Sequence, residues 1–88
     1  MRLMAEEIAA PVAVTEAAGE FSAWMLAEQR RIFLLCQRML GEADEADSAT
    51  QDVFLKAYKA VYEDGQKPDD RAKWLTRVAV NTCLDRLR

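Results

Sequence analysis

Apolar side chains recur at steps of three and four residues in three separate segments of this 88-residue chain, and that spacing is the period of an α-helix. The pattern predicts helices over residues 22–40, 45–62 and 71–88, the first being either one helix or two helices joined near Ala27. Three glycines and two prolines supply few of the turns that an all-β fold needs. We therefore expect an all-α fold, a compact bundle of three to four helices.

The length allows one domain at most. We assign residues 21–88 to that domain and residues 1–20, which are rich in alanine and glutamate, to a partly ordered N-terminal arm. Short polar side chains can accept bonds from the first N–H groups of a helix, and glycine readily follows its last turn. The positions that fit these roles are Ser22, Asp44 and either Asp69 or Asp70 as N-caps, and Gly41 after the first helix.

The chain has no histidine, so it lacks the commonest general base and the commonest metal ligand. Its two cysteines, Cys36 and Cys83, are too few for a disulfide scaffold or a four-cysteine zinc site. We interpret both as free thiols in a reducing cytoplasm, with a redox switch as the alternative. No segment resembles a signal peptide or approaches the roughly 20 apolar residues of a membrane span. We expect no metal, no cofactor, no small-molecule substrate and no membrane insertion.

Charge is divided unevenly along the chain, whose net charge is −3. Residues 1–70 contain seven basic and fourteen acidic side chains, whereas residues 71–88 contain five basic side chains and one acidic. A basic end on an acidic body is a pattern found in nucleic-acid-binding proteins, although late cations also suit a helix dipole. The overall acidity argues against strong binding to duplex DNA by this chain alone.

The predicted second helix has one apolar residue that its pattern does not explain. Leu55 lies outside the apolar stripe of that helix, among polar residues that include Gln51 and Asp52. A single exposed leucine is ordinary, but one surrounded by polar groups on a well-patterned helix is also typical of a binding patch. The stripe itself consists of Ala46, Ala49, Val53, Ala57 and Val61.

The predicted third helix has two faces. Leu75, Val78, Ala79, Thr82 and Cys83 form the packed one, with Trp74 at its margin. A separate arc of about 100° carries cations, an amide and aliphatic side chains. That arc is either a solvated surface or a face for nucleic acid, because cations reach phosphates and an amide can bond a base edge. Its members are Lys73, Arg77, Val80, Asn81, Leu84 and Arg88.

Two blocks of sequence together carry a family resemblance: RIFLLCQRMLGEADEADSATQDVFLKAY at residues 31–58, and WLTRVAVNTCLDRLR at residues 74–88. They resemble region 2 of the bacterial sigma-70 family, and most closely its extracytoplasmic-function (ECF) group. The resemblance covers residues 21–88. It implies a domain that is not an enzyme, that docks on the β′ clamp helices of core RNA polymerase through its second helix, and that recognises and helps melt the promoter −10 element as non-template single strand.

The resemblance also assigns residues. It places the polymerase-docking positions on Asp47, Ser48, Gln51, Asp52 and Leu55, and the promoter-reading positions on Arg77, Val80 and Asn81. Residues 64–70 match the segment that holds an extruded base, and the cations expected at DNA phosphates are Lys67, Arg71 and Lys73, with Arg88 on the same basic face. An anti-sigma factor that covers the docking surface is a further expected partner.

The chain departs from the family pattern in three respects. Ser48 stands where the family usually has aspartate, the loop has few aromatic residues for stacking, and the sequence ends at Arg88, where the resemblance leads us to expect a linker and a second, −35-reading domain. A helical protein-interaction module without DNA binding is the alternative function. An enzyme is a weaker one, since the neighbouring carboxylates, Asp69 with Asp70 and Asp44 with Glu45 and Asp47, stand at predicted helix starts, where capping explains them.

Overall fold

The computed structural model describes the backbone of residues 12–88 and the side chains of residues 19–88. Its elements are helix α1 (Val12–Leu40), helix α2 (Ala43–Tyr58), a π-helical turn (Lys59–Glu63) that continues α2, and helix α3 (Arg71–Leu87). The expected all-α fold is confirmed, and no strand occurs in this range. Residues 1–11 of the predicted arm lie outside the described residues.

Helix α1 begins well before the predicted start, so the assignment of Ser22 as its N-cap is wrong. Residues 12–20 are mostly alanine, valine and glutamate, and Gly19 is the poorest helix former among them. This stretch has no apolar stripe, which is why periodicity did not reveal it as a helix. The helix also passes through Ala27 without a break, so the first predicted segment is one helix and not two.

The turn between α1 and α2 depends on Gly41, whose φ of +81° is accessible to glycine at little cost. Its N–H donates to the carbonyl of Gln37 at 2.7 Å, which closes the last turn of α1. The prediction of Asp44 as the N-cap of α2 is wrong, because the N-cap is Glu42. The Glu42 side chain makes no capping hydrogen bond. Asp44 instead lies in the first turn, where its negative charge suits the N-terminal end of the helix dipole.

The start of α3 agrees with one of the two predicted caps. The Asp70 carboxylate accepts a hydrogen bond from the Lys73 backbone N–H at 3.1 Å. Before it, the chain leaves the π-helical turn through Gly65, whose φ is +74°. The predicted loop is thereby confined to residues 64–70, held between two helices.

The three helices pack against one another, and the predicted stripes form the core. Four positions of the α2 stripe are buried, and all but one of them are alanine, which lets the neighbouring helices approach α2 closely. The fifth, Val61, is half-buried in the π-helical turn. The buried apolar residues are Met25, Ile32 and Cys36 of α1, Ala46, Ala49, Val53 and Ala57 of α2, and Leu75, Ala79 and Cys83 of α3.

Both cysteines are free thiols and are buried. Burial and, to a smaller extent, a side-chain hydrogen bond with Cys36 together raise the pKa of Cys83 from 9.0 to about 12. A thiol that stays protonated is a poor nucleophile. The pair therefore behaves as part of the apolar core.

Aromatic rings close one end of the bundle. The Trp24 and Trp74 rings stack with centroids 6.2 Å apart, and the Arg71 guanidinium lies over the Trp24 ring at 4.6 Å. Phe21 meets Trp24, Tyr58 and Tyr62 edge to face. Trp74 is thus half-buried within the fold, at the margin of α3 where the sequence placed it.

Candidate functional site

Helix α2 presents one polar face to solvent, opposite the buried stripe. All five residues that the family resemblance assigned to α2 lie on this face, and we call them the α2 patch: Asp47, Ser48, Gln51, Asp52 and Leu55. Leu55 is 68% exposed, and Asp52 is half-buried. The Gln51 amide donates to the Asp47 carboxylate at 3.4 Å, one helical turn away. The structure therefore brings the predicted residues together as one surface.

An apolar groove between α1 and α2 extends this surface, and the sequence did not reveal it. Phe21 and Phe54 line it along its length, with Leu55 and Tyr58 at one end and Leu26 at the other. Leu26 is 71% exposed and Tyr58 is 42% exposed. The sequence feature that could have pointed to this groove is that Leu26 falls outside the core stripe of α1, as Leu55 falls outside the stripe of α2. That the two lie beside the same groove depends on how the helices pack.

Arg86 of α3 reaches across to the α2 patch and is the second feature that the sequence did not reveal. Its guanidinium donates from Nη1 to Glu45 Oε1 at 3.0 Å, and from Nη2 to Ser48 Oγ at 2.9 Å and Asp52 Oδ2 at 2.6 Å. The hydrogen bond with Asp52, and the charges of Asp52 and Glu45, raise the pKa of Arg86 above its ordinary value. Asp52 and Ser48 are thus bonded within the domain.

Helix α3 carries the predicted basic face on its exposed side. Lys73, Arg77 and Asn81 are exposed, and Val80 is half-buried. A groove bounded by the end of α2, the loop and α3 has Arg77 and Asn81 along its wall, beside Gln66 of the loop. A smaller recess lies between loop residues 68–70 and the first turns of α3, and Arg77 lines that one too. Arg77 therefore stands between two concave surfaces.

The remaining predicted cations differ in their surroundings. Lys67 is exposed in the loop, and neither it nor Lys73 nor Arg77 forms an ion pair with any other described residue. Arg88 pairs with Asp85 at 3.5 Å, with both side chains mostly exposed. Arg71 contacts the Trp24 ring, as described above. Of the five cations predicted to contact DNA, three therefore have no carboxylate partner among the described residues, one pairs with a carboxylate and one lies over an aromatic ring.

The acidic clusters that suggested an enzyme occupy helix starts. Asp70 caps α3, and Asp44 and Glu45 lie in the first turn of α2. Within residues 19–88 no three histidine, cysteine, aspartate or glutamate side chains are grouped closely enough to hold a metal ion. Among the helices that the structure describes, none is long and apolar enough to span a membrane.

Comparison with known proteins identifies the family. Residues 24–88 match the family Sigma-70 region 2. The chain is 38% identical over 72 residues to the ECF RNA polymerase sigma factor SigG of Mycobacterium tuberculosis, a match that covers 82% of this chain and 19% of that protein. It is 37% identical over 60 residues to the ECF RNA polymerase sigma factor SigW of Bacillus subtilis, covering 66% of this chain and 30% of that protein.

A third relative is the RNA polymerase sigma-H factor of Pseudomonas aeruginosa, 36% identical over 69 residues, or 76% of this chain and 34% of that protein. The chain thus spans about a fifth to a third of the length of these relatives. No solved structure matches it. The family match covers α2, α3 and most of α1, the elements that carry both exposed faces. The chain therefore belongs to the sigma-70 region 2 family, as a domain of the ECF type.

Proposed function

We propose that this domain recognises the promoter −10 element for transcription initiation while it is docked on core RNA polymerase. The observation that carries the proposal is the presence of two distinct exposed faces on one small fold of the sigma-70 region 2 family. One is the α2 patch with its neighbouring apolar groove, and the other is the basic side of α3 with the loop before it. Such a domain works in the bacterial cytoplasm, where polymerase and promoter are found.

The α2 patch has the composition of a protein-binding surface. Leu55 supplies an exposed apolar anchor beside the groove, and Gln51 can both donate and accept hydrogen bonds. Asp47 offers a carboxylate to a basic side chain of a partner. We assign this surface to the β′ clamp helices of the polymerase.

The α3 face has the chemistry to hold a single DNA strand. Lys73 and Arg77 are exposed cations for phosphates, and Asn81 carries an amide that can bond a base edge. The recess between the loop and α3, lined by residues that include Pro68 and Trp74, suits a base taken out of the stack. We assign the groove and this recess to the non-template strand of the −10 element.

The docking assignment is tested by titrating the domain with a fragment containing the β′ clamp helices and measuring the dissociation constant by calorimetry. We expect Gln51→Ala to weaken binding and Gln37→Ala, a glutamine on α1, to leave it unchanged. No binding at tens of micromolar by a domain shown to be folded would overturn the assignment, as would equal effects of the two substitutions.

The DNA assignment is tested with a fluorescent single strand that carries a −10 element, measured by anisotropy against a scrambled strand and the matching duplex. We expect preference for the −10 single strand, and we expect Arg77→Ala to weaken it. Arg38→Ala removes an exposed arginine of α1 and serves as the control. If the domain binds the clamp helices but no single strand, the alternative of a protein-interaction module without DNA binding is the better description.

We further propose that an anti-sigma factor regulates the domain by covering the α2 patch and the groove beside it. The exposed Leu26 and Leu55 leave this surface available to more than one apolar partner. Competition tests the idea directly. Simultaneous binding of a cognate anti-sigma factor and the clamp helices to one domain would rule it out.

A further inference from the structure

Arg86 has a position on α3 that sets it apart from the other cations of that helix. It follows Thr82 and Cys83 by one turn and so continues the packed stripe of α3, whereas Arg77, nine residues earlier, points to the opposite side at 100° per residue. Its side chain is 25% exposed, compared with 76% for Arg88. Arg86 therefore faces α2 and not the proposed DNA groove.

The bonds that Arg86 makes span three positions along α2. Its two terminal nitrogens engage Glu45, Ser48 and Asp52, which follow one another at steps of three and four residues on one face. A planar guanidinium with several donors can serve such a row, and an ammonium group cannot do so in the same way. Two of the three partners belong to the α2 patch.

The neutral side chain of Ser48 keeps a third negative charge out of this contact. One cation faces two carboxylates, and Ser48 contributes a neutral hydroxyl oxygen that accepts from the same Nη2 as Asp52. An aspartate at position 48, as in the usual family pattern, would place a third carboxylate around one guanidinium. Ser48 therefore fits the contact with Arg86. Its difference from the usual aspartate does not imply that a contact with a partner has been lost.

We propose that Arg86 is a positioning residue of the docking surface: it fixes Ser48 and Asp52 on α2, and Ser48 is the neutral acceptor that completes this contact. The inference rests on the docking function proposed above. Because Arg86 already restricts these side chains in the unbound domain, they lose less conformational entropy when a partner binds. Asp52 keeps a side chain that is 45% exposed, so it can be held by Arg86 and still face a partner.

The first experiment compares the dissociation constant for the β′ clamp-helix fragment between the wild-type domain and Arg86→Gln. Arg38→Gln, which replaces an exposed arginine of α1 outside both proposed faces, serves as the matched control. Contacting residues typically couple strongly enough that we expect binding about 3- to 10-fold weaker for Arg86→Gln. We expect Arg86→Lys to restore only part of that loss and Arg38→Gln to have no effect. Circular dichroism at the assay temperature confirms that each variant is folded.

A double-mutant cycle with Asp52→Asn separates positioning from a purely structural role. If Arg86 acts through Asp52, the double variant binds no more weakly than the weaker single variant, whereas independent effects multiply. Multiplying effects, or tighter binding by Arg86→Gln, would overturn the proposal.

Adding Leu55→Ala to the series separates a failure of this proposal from a failure of the docking function. If the wild-type domain binds and Leu55→Ala weakens binding while Arg86→Gln does not, the docking function stands and the positioning role is wrong. If the folded wild-type domain does not bind the fragment, the docking function is wrong and the positioning role fails with it.

Discussion

Replacing Leu55 with alanine is the sharpest test of the proposed docking surface, because the structure fixes what the change can do. Full burial of a leucine side chain contributes roughly 1.5–3 kcal/mol relative to its exposure to water. Leu55 is 68% exposed in the unbound domain. About two-thirds of that free energy, or about 1–2 kcal/mol, therefore remains available to a partner that buries the side chain completely. Its loss corresponds to about a 5- to 30-fold increase in the dissociation constant.

The same exposure sets a second expectation, for stability. A substitution at a mostly exposed position changes the free energy of unfolding by no more than about 0.5 kcal/mol in either direction. The two quantities are measured on the same protein, the dissociation constant for the β′ clamp-helix fragment by calorimetry and the free energy of unfolding by urea titration. Leu55→Ala should increase the dissociation constant and leave the free energy of unfolding nearly unchanged.

Leu34→Ala is the matched control, because Leu34 is also an exposed leucine, at 41%, and lies on α1. It is two residues from the buried Ile32 and two from the buried Cys36, so at 100° per residue it points away from the core. We expect it to leave the dissociation constant unchanged. If Leu34→Ala weakens binding as much as Leu55→Ala does, or if Leu55→Ala lowers the free energy of unfolding by as much as it weakens binding, the assignment of Leu55 as an anchor is refuted.

Three further predictions concern other parts of the domain. If Lys67, Lys73 and Arg77 are the cations that neutralise phosphates, the logarithm of the single-strand binding constant should fall against the logarithm of salt concentration with a slope of about −2, and Arg77→Ala should reduce its magnitude to about 1.4. Asp70→Ala should lower the free energy of unfolding by about 1 kcal/mol, measured by urea titration, because it removes the N-cap of α3. Because the pKa of Cys83 is raised to about 12 from 9.0, the unfolded thiol ionises first, so this group's contribution to stability is complete below pH 9 and declines as the pH rises from 9 toward 12. Cys83→Ala should show a shallower decline over that range in the same titration.

Local patterns in the sequence were enough to predict much of the fold. The α2 stripe was predictable because positions three and four apart share a helix face whatever the rest of the chain does. The same reasoning identified Leu55 as exposed, since it is the apolar residue that the stripe cannot include. Asp70 was one of two adjacent candidates, and the choice between them needed the observed bond to the Lys73 N–H.

The missed features depend on how one helix lies against another. Nothing within α3 indicates that Arg86 meets a row of α2 residues 34 to 41 positions earlier in the chain. The apolar groove is similar, because Leu26 and Leu55 are ordinary exposed leucines until α1 and α2 are placed side by side. The early start of α1 was missed for a different reason, namely that a helix without an apolar stripe gives no periodic signal.

The contact of Arg86 with α2 bears on how a domain of this size can carry two binding faces without each disturbing the other. The buried positions of α2 are mainly alanines, so that α3 lies close to it and a side chain of α3 can reach the outer face of α2. Arg86 uses that closeness, while Arg77, on the opposite side of α3, remains exposed. Arg77 faces the proposed DNA groove, and the side chains of Ser48 and Asp52 are held by a different arginine, Arg86. Loss of this arginine should weaken docking while leaving single-strand binding nearly intact, and equal losses in both assays would show that Arg86 only maintains the fold.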